Sequence, residues 1–161
     1  MDRKLEICLL QDCPHAVSTV FKWLYDQWGQ VVGTNPLVRI AQFVQAGASD
    51  DDLPVTWVAL DGEWVVGTAS LAERDLETRP DLSPWLVSVY VNAADRRQGI
   101  GSALVRHVVE QARRRGVETL WLFTPDQAPF YRRLGWQPVE RVPYRGEDVV
   151  VMKRQLSGHS W

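Results

Sequence analysis

Between Asn92 and Ser102 the chain reads NAADRRQGIGS, and these residue types at this spacing can grip an anion. Gly99 and Gly101 carry no side chain, so a phosphate can come close to the main chain there. The segment joins a β-rich stretch directly to a helical one. The free N–H groups of a first helical turn therefore point outward, and the helix dipole favours negative charge at that place. Arg96 and Arg97 add cationic donors. Three anion-binding motifs compete for the segment. A Walker loop needs Gly-Lys-Ser/Thr, but Gly101 is followed by Ser102 and Ala103. A dinucleotide fingerprint needs a third glycine where Leu104 stands, and a βαβ unit near the start of the chain. A coenzyme A loop needs arginine or glutamine, two residues, glycine, one residue, then glycine or alanine. Arg96-Arg97-Gln98-Gly99-Ile100-Gly101 meets that pattern at every position.

With this loop and with APFYRRLGW (Ala128 to Trp136), the chain resembles the GNAT superfamily of N-acetyltransferases over nearly its whole length, most sharply from Trp85 to Arg141. The resemblance implies an acyltransferase that uses acetyl-CoA as co-substrate, and the N-terminal apolar run, too short for a signal peptide, makes a cytoplasmic protein the expectation. It places the pyrophosphate on the main-chain amides of Arg96, Arg97, Gln98, Gly99, Ile100, Gly101 and Ser102. It pairs the pantetheine arm with the preceding strand at Val89, Tyr90 and Val91. Tyr131 matches the tyrosine that family members commonly hold beside the thioester sulfur. A phenol suits that place, because it is neutral below its reference pKa near 10 and can donate a proton as the thiolate leaves. Many members carry an asparagine seven residues before this tyrosine; here the position is Thr124, which leaves the pantetheine contact at Thr124 open.

The attacking amine must shed a proton. Family members often use a glutamate on the central strand, but Trp85 to Val91 contains no acid. The nearest candidates are Glu73, Asp75, Glu77 and Asp81, and of these Glu73 or Asp75 is the expected base. AERDLETRPD sets four acids against two arginines, so a locally negative cleft that draws in a small cationic amine is expected. Trp23, Tyr25, Trp85 and Tyr144 are further cleft candidates, each also an ordinary packing residue. A main-chain N–H near Val89 would polarise the thioester carbonyl. Cys8 and Cys13 lie near the first strand and read as buried hydrophobes rather than nucleophiles. The alternatives kept open are an acyl-CoA-sensing domain without turnover, a peptide or protein N-acetyltransferase, and a nucleotide-binding protein.

Helices and strands must position these groups. Leu5, Ile7 and Leu9 alternate, which predicts a strand over Lys4 to Leu10. Apolar spacing predicts a helix from His15 to Trp28 closed by Gly29. A second helix is expected from Pro36 to about Ala46, capped by Asn35 and ended by Gly47. The acidic run Ser49 to Asp52 reads as a solvated loop. Val55 to Leu60 and Trp64 to Leu71 flank Asp61-Gly62 and read as a hairpin. Glu73 to Pro84 reads as a polar loop, and Trp85 to Val91 as an unbroken central strand. Arg97 to Arg115 is expected to be a helix with the stripe Ile100, Leu104, Val108 and Ala112, its three closing arginines suited to the dipole. Thr119 to Phe123 follows as a strand, Ala128 to Leu134 as a short helix, and Trp136 to Arg141 and Asp148 to Leu156 as strands. Tyr144 falls in a VPYRGED loop between the last two.

This order predicts an α+β (mixed α/β), GNAT-like fold. Its centre is a mostly antiparallel twisted sheet of about seven strands, flanked by about four helices. The 161 residues suit one domain, over 1–156, with 157–161 as a C-terminal tail. A net charge of −2 offers no basic field for nucleic acid. Two cysteines and three scattered histidines match neither a disulfide framework nor a metal site. No stretch approaches the ~20 apolar residues that span a membrane. Oligomeric state stays open, a homodimer being the commonest assembly.

Overall fold

The computed structural model describes residues 4–30, 33–49 and 52–156; Asp50 and Asp51 of the acidic run and the tail 157–161 lie outside them. In chain order the elements are β1 (Leu5–Leu9), two 3-10 turns (Leu10–Asp12 and Pro14–Ala16), α1 (Val17–Trp28), α2 (Pro36–Gly47), β2 (Val55–Asp61), β3 (Trp64–Ala72), β4 (Trp85–Val91), a 3-10 turn (Ala93–Asp95), α3 (Ile100–Arg114), β5 (Thr119–Thr124), α4 (Ala128–Arg133), β6 (Gln137–Tyr144) and β7 (Glu147–Gln155). The strands form one seven-stranded sheet in the order β1-β2-β3-β4-β5-β7-β6. Every neighbouring pair is antiparallel except β4 with β5, which is parallel.

Both faces of the sheet are covered, and the two-residue period of a strand sorts the side chains between them. Trp57 and Ala59 of β2 join Ile100, Leu104, Val108 and Ala112 of α3 in one cluster. Val58 and Leu60 face the other way, against Val20 and Leu24 of α1 and Ile40 and Val44 of α2. The expected α3 stripe is therefore a buried one. The hydroxyls this burial traps are satisfied: Thr56 Oγ1 meets Ser70 Oγ at 2.7 Å, and Thr68 Oγ1 donates to the Trp57 carbonyl at 2.8 Å.

Several expectations need correction. Helix α3 starts at Ile100, not Arg97, because Arg97 (φ 64°) and Gly99 (φ 82°) take left-handed conformations that a helix cannot include. Asn35 stands before α2 in a left-handed conformation (φ 55°) and makes no side-chain cap bond. The first hairpin turns at Gly62-Glu63, with Asp61 still paired to Trp64. VPY is not loop but the end of β6. It closes with β7 through an Arg145-Gly146 turn, both residues at positive φ, the geometry of a two-residue hairpin.

The largest departure is inside β4. Val87 pairs with Ser70 and Tyr90 with Thr68, so Ser88 and Val89 together oppose Ala69. Ser88 sits at φ 57°. This is a β-bulge, which bends its strand and raises the local twist. Accordingly β4 pairs with β5 only at Trp85 and Trp121, and beyond that pair the two parallel strands part.

Gly67 of β3 sets the height of α3 above the sheet. A Cβ there would lie 2.8 Å from Leu104 Cδ1, 3.1 Å from the Tyr90 carbonyl oxygen and 3.2 Å from Ile100 Cγ2. Overpacking of this kind is expected to make Gly67→Ala less stable by ~1–3 kcal/mol, read as a lower urea midpoint at unchanged slope.

Candidate active site

The parting of β4 and β5 opens a cleft of about 1100 Å3. Its walls come from Leu86–Val91 of β4 and Leu122–Thr124 of β5. One end is closed by the start of α3, and the other lies between α1, α2, the segment after β3 and the β6–β7 turn.

At the α3 end, Arg97 and Gly99 are left-handed on either side of Gln98, and successive N–H groups turned this way form an anion-binding concavity. The first intrahelical bond runs from Ala103 N to the Gly99 carbonyl, 3.0 Å. The amides just before Ala103 thus stand at a helix start that has no acceptor of its own. Gly99 faces open space, while a Cβ on Gly101 would already touch Phe130 and Val91. The approach is held by Asn92, whose Nδ2 donates to Asp95 at 2.7 Å. Arg97, Gly99, Ile100, Gly101 and Ser102 line the cleft. Gln98 does not. Arg96 lines it too, but its Nε donates to the Val91 carbonyl (2.9 Å) and its guanidinium lies 5.3 Å above the Tyr90 ring. The Val91 carbonyl is thus occupied by Arg96. Val89, Tyr90 and Val91 all border the gap.

Tyr131 on α4 reaches the same cleft from the opposite wall and is 8% exposed. Burial pushes its hydroxyl well above the ordinary phenol range, and the nearby negative charge of Asp126 pushes the same way. Edge-on contacts with Phe130 (4.9 Å between centroids) and Trp136 (6.0 Å) fix the ring. Thr124 is buried at the end of β5, where its Oγ1 accepts from the N–H of Gln127 (2.9 Å) and, more loosely, of Asp126 (3.4 Å). The threonine thereby turns the chain into α4 and places Tyr131. Its hydroxyl hydrogen is the group it can still offer to the cleft.

Of the four acids after β3, the structure brings Asp75 and Glu77 to the cleft and leaves Glu73 and Asp81 outside it. Asp75 keeps part of its surface in contact with solvent, yet protein packed around the carboxyl desolvates it and pushes its pKa up to about 7. Glu73 is exposed. Glu77 is paired with Arg145 Nη2 at 2.7 Å, and Asp81 with Arg79 Nη2 at 3.0 Å, while Arg79 also holds Glu140. The expected negative cleft is therefore not what the fold builds. Six arginines and five acids line it, because basic side chains from distant elements answer the acidic loop.

The aromatic candidates divide. Tyr144 lines the cleft. Trp85 is fully buried, its Nε1 donating to the Leu82 carbonyl at 2.7 Å, and is a core residue. Trp23 lies tilted against Tyr90 (5.2 Å between ring centres) and does not line the cleft, and Tyr25 is 37% exposed against Phe21. Sequence reasoning missed Trp28 and Phe43, which do line the cleft. Both sit on helical apolar stripes, and a stripe looks the same whether it meets a core or a ligand groove. It also missed Arg39, Arg74 and Arg145, which carry no local motif. Cys8 and Cys13 lie together away from the cleft, their sulfurs 2.8 Å apart. Burial and then the bond to Cys13 push the Cys8 thiol up to about 12, which makes it a poor nucleophile. Among the described residues no group of three or more His, Cys, Asp or Glu could hold a metal ion, and no helix is long and apolar enough to cross a membrane.

The sequence profile of the Acetyltransferase (GNAT) family matches residues 14–136. Over 98 residues the chain is 32% identical to YsnE of Bacillus subtilis (strain 168), an uncharacterised N-acetyltransferase; the match covers 57% of this chain and 62% of that relative. Among solved structures, an aminoglycoside 6'-N-acetyltransferase complexed with coenzyme A superposes with a TM-score of 0.76 at 15% identity, covering 96% of this chain and 99% of the other. The ribosomal-protein-S18-alanine N-acetyltransferase from Escherichia coli superposes with a TM-score of 0.67 at 18% identity, covering 98% and 97%. At these identities the likeness is one of fold.

Proposed function

Because the chain belongs to the Acetyltransferase (GNAT) family, we propose that it transfers the acetyl group of acetyl-CoA to a primary amine by direct attack, as a single cytoplasmic domain spanning 1–156. The observation that carries this reading is the gap between β4 and β5, with a helix start at one end and Tyr131 on its wall. The amides around Gly99 and Gly101 receive the diphosphate. The edge of β4 past the bulge receives the pantetheine arm, and the Val89 N–H polarises the thioester carbonyl. A small cationic amine arrives as ammonium, since a primary amine is protonated near neutral pH. The Asp75 carboxylate accepts that proton, the amine attacks, and the Tyr131 hydroxyl protonates the departing sulfur. Holding both partners in one cleft supplies the proximity such a reaction needs. A base and an acid in the same cleft favour turnover over mere sensing of acyl-CoA.

Two measurements test this. Calorimetric titration with acetyl-CoA should show saturable heat; a folded protein giving none at millimolar ligand would end the proposal. Gly99→Val forces a β-branched residue into a left-handed conformation and puts methyl groups where the anion must approach. It is expected to weaken acetyl-CoA binding about tenfold or more, or ~1.4 kcal/mol.

A further inference from the structure

We propose that Cys8 and Cys13 are a modification site: a dithiol that closes reversibly to an intramolecular disulfide, with a small disulfide of the glutathione class as the oxidant. The two sulfurs lie 2.8 Å apart. A disulfide holds its sulfurs at about 2.05 Å, so closing asks for less than about 1 Å of movement. Backbone hydrogen bonds hold both residues in this approach. Cys8 pairs with Val58 within β1, an edge strand of the sheet. Strand alternation turns Cys8 towards Val58, Leu10, Ala16 and Val20, while Leu5, Ile7 and Leu9 pack on the other face. The two 3-10 turns then fold the chain back. The Cys13 N–H donates to the Leu10 carbonyl at 2.9 Å, and the Cys13 carbonyl accepts from the Ala16 N–H at 2.8 Å. Cys13 is thus pinned from both directions and is 7% exposed. Cys8 is half-buried, and so is the sulfur that a small oxidant reaches first.

The reaction balances with that one oxidant. The Cys8 sulfur, as thiolate, attacks glutathione disulfide; the S–S bond breaks, and one glutathione leaves as a thiolate that takes up the proton Cys8 gave. The Cys13 sulfur then displaces the second glutathione from the mixed disulfide in the same way. Two thiols lose two electrons, and one glutathione disulfide becomes two glutathione thiols. Burial, Cys13 and the charges of Glu6 and Asp12 all hold the proton on Cys8. Thiolate is therefore scarce near neutral pH, closing is slow, and the quantity to measure is the equilibrium rather than the rate. Reversible pairs of this kind are the usual form of disulfide in a reducing compartment. The bond would tie the edge strand to the turn that opens into α1, whose Leu24, Gln27 and Trp28 line the cleft. Neither cysteine lines the cleft, so the pair is independent of the acetyl-transfer reading.

The chain has two cysteines, so a count of free thiols reads the pair directly. The whole chain is equilibrated in buffers of stepped glutathione disulfide to glutathione ratio, once folded and once in urea, then quenched in acid for intact-mass measurement. The expected product is a monomer lighter by about 2 Da, without free thiols and returned to the starting mass by dithiothreitol. At one buffer ratio the quotient of oxidised to reduced protein is expected to be at least tenfold higher in the folded protein than in the unfolded chain, because the fold brings the sulfurs together beforehand. The oxidised protein should then also have the higher Tm. Cys8→Ser and Cys13→Ser, each with one thiol left, should show no such mass loss. A folded protein that keeps both thiols at the most oxidising ratio overturns the proposal, as does a lasting glutathione adduct or a disulfide-linked dimer. A folded-to-unfolded advantage below tenfold overturns it as well, since the closeness of the sulfurs would then owe little to the fold.

Discussion

Asp75→Asn is expected to lower kcat/KM for the acceptor by about 10²- to 10⁴-fold, the range that a positioned general base supplies. The parent's rate should rise with pH and level off above about 7, where burial places the Asp75 titration. That rising limb should vanish in the variant, because an amide has no proton to lose. If the variant keeps the limb, another group is the base. Stability gives an independent reading, with the opposite sign. Between the ordinary carboxyl value near 3.9 and about 7, the folded protein keeps a proton on Asp75 that the unfolded chain has released. The folded state then binds more protons, so stability falls as pH rises through this window and the full cost is present above it. Removing the charge should make Asp75→Asn gain stability relative to the parent as pH rises from about 4 to 8, read as a growing difference in Tm. A variant that is more stable and less active separates a functional carboxylate from a structural one.

Tyr131→Phe is expected to lower kcat by about 10²-fold or more, with acetyl-CoA affinity nearly unchanged. The edge-on contacts with Phe130 and Trp136 involve the ring, which phenylalanine keeps. The backbone is secured separately, since the Tyr131 carbonyl accepts from Leu134 (3.0 Å) and Trp136 (3.1 Å). The loss should shrink when the acyl donor is a thioester of a more acidic thiol, because such a leaving group needs less help from an acid. Desolvation keeps the Tyr131 hydroxyl protonated to high pH, so no falling limb from this residue is expected below pH ~10. Full kcat in Tyr131→Phe would remove the hydroxyl from the chemistry and leave the residue as a wall of the cleft.

Local patterns carried the element order, the α3 stripe and the loop from Arg96 to Ser102, because each depends on residues close in sequence. Helical spacing declares a buried face, paired glycines declare a close approach, and a run such as Trp85–Val91 declares a strand. The bulge at Ser88 escaped notice, since nothing in LVSVY marks a residue held at positive φ; the pairing with β3 imposes it. The same applies to the acids after β3. In the sequence Glu73, Asp75, Glu77 and Asp81 are equivalent loop charges. Arg145 lies 68 positions beyond Glu77, and no pattern links them before the β6–β7 turn folds back. Residue order alone thus determined the glycine-rich strand-to-helix junction and the later tyrosine motif by which this chain resembles the GNAT family. Tertiary structure alone decided that β4 and β5 part, that Asp75 rather than Glu73 lines the gap, and that arginines from distant elements stand among the acids at its far end. The reason is physical: a backbone conformation and a repeating apolar face are properties of neighbours in sequence. The desolvation of one carboxyl and the pairing of the next depend on what distant segments bring to within a few ångströms.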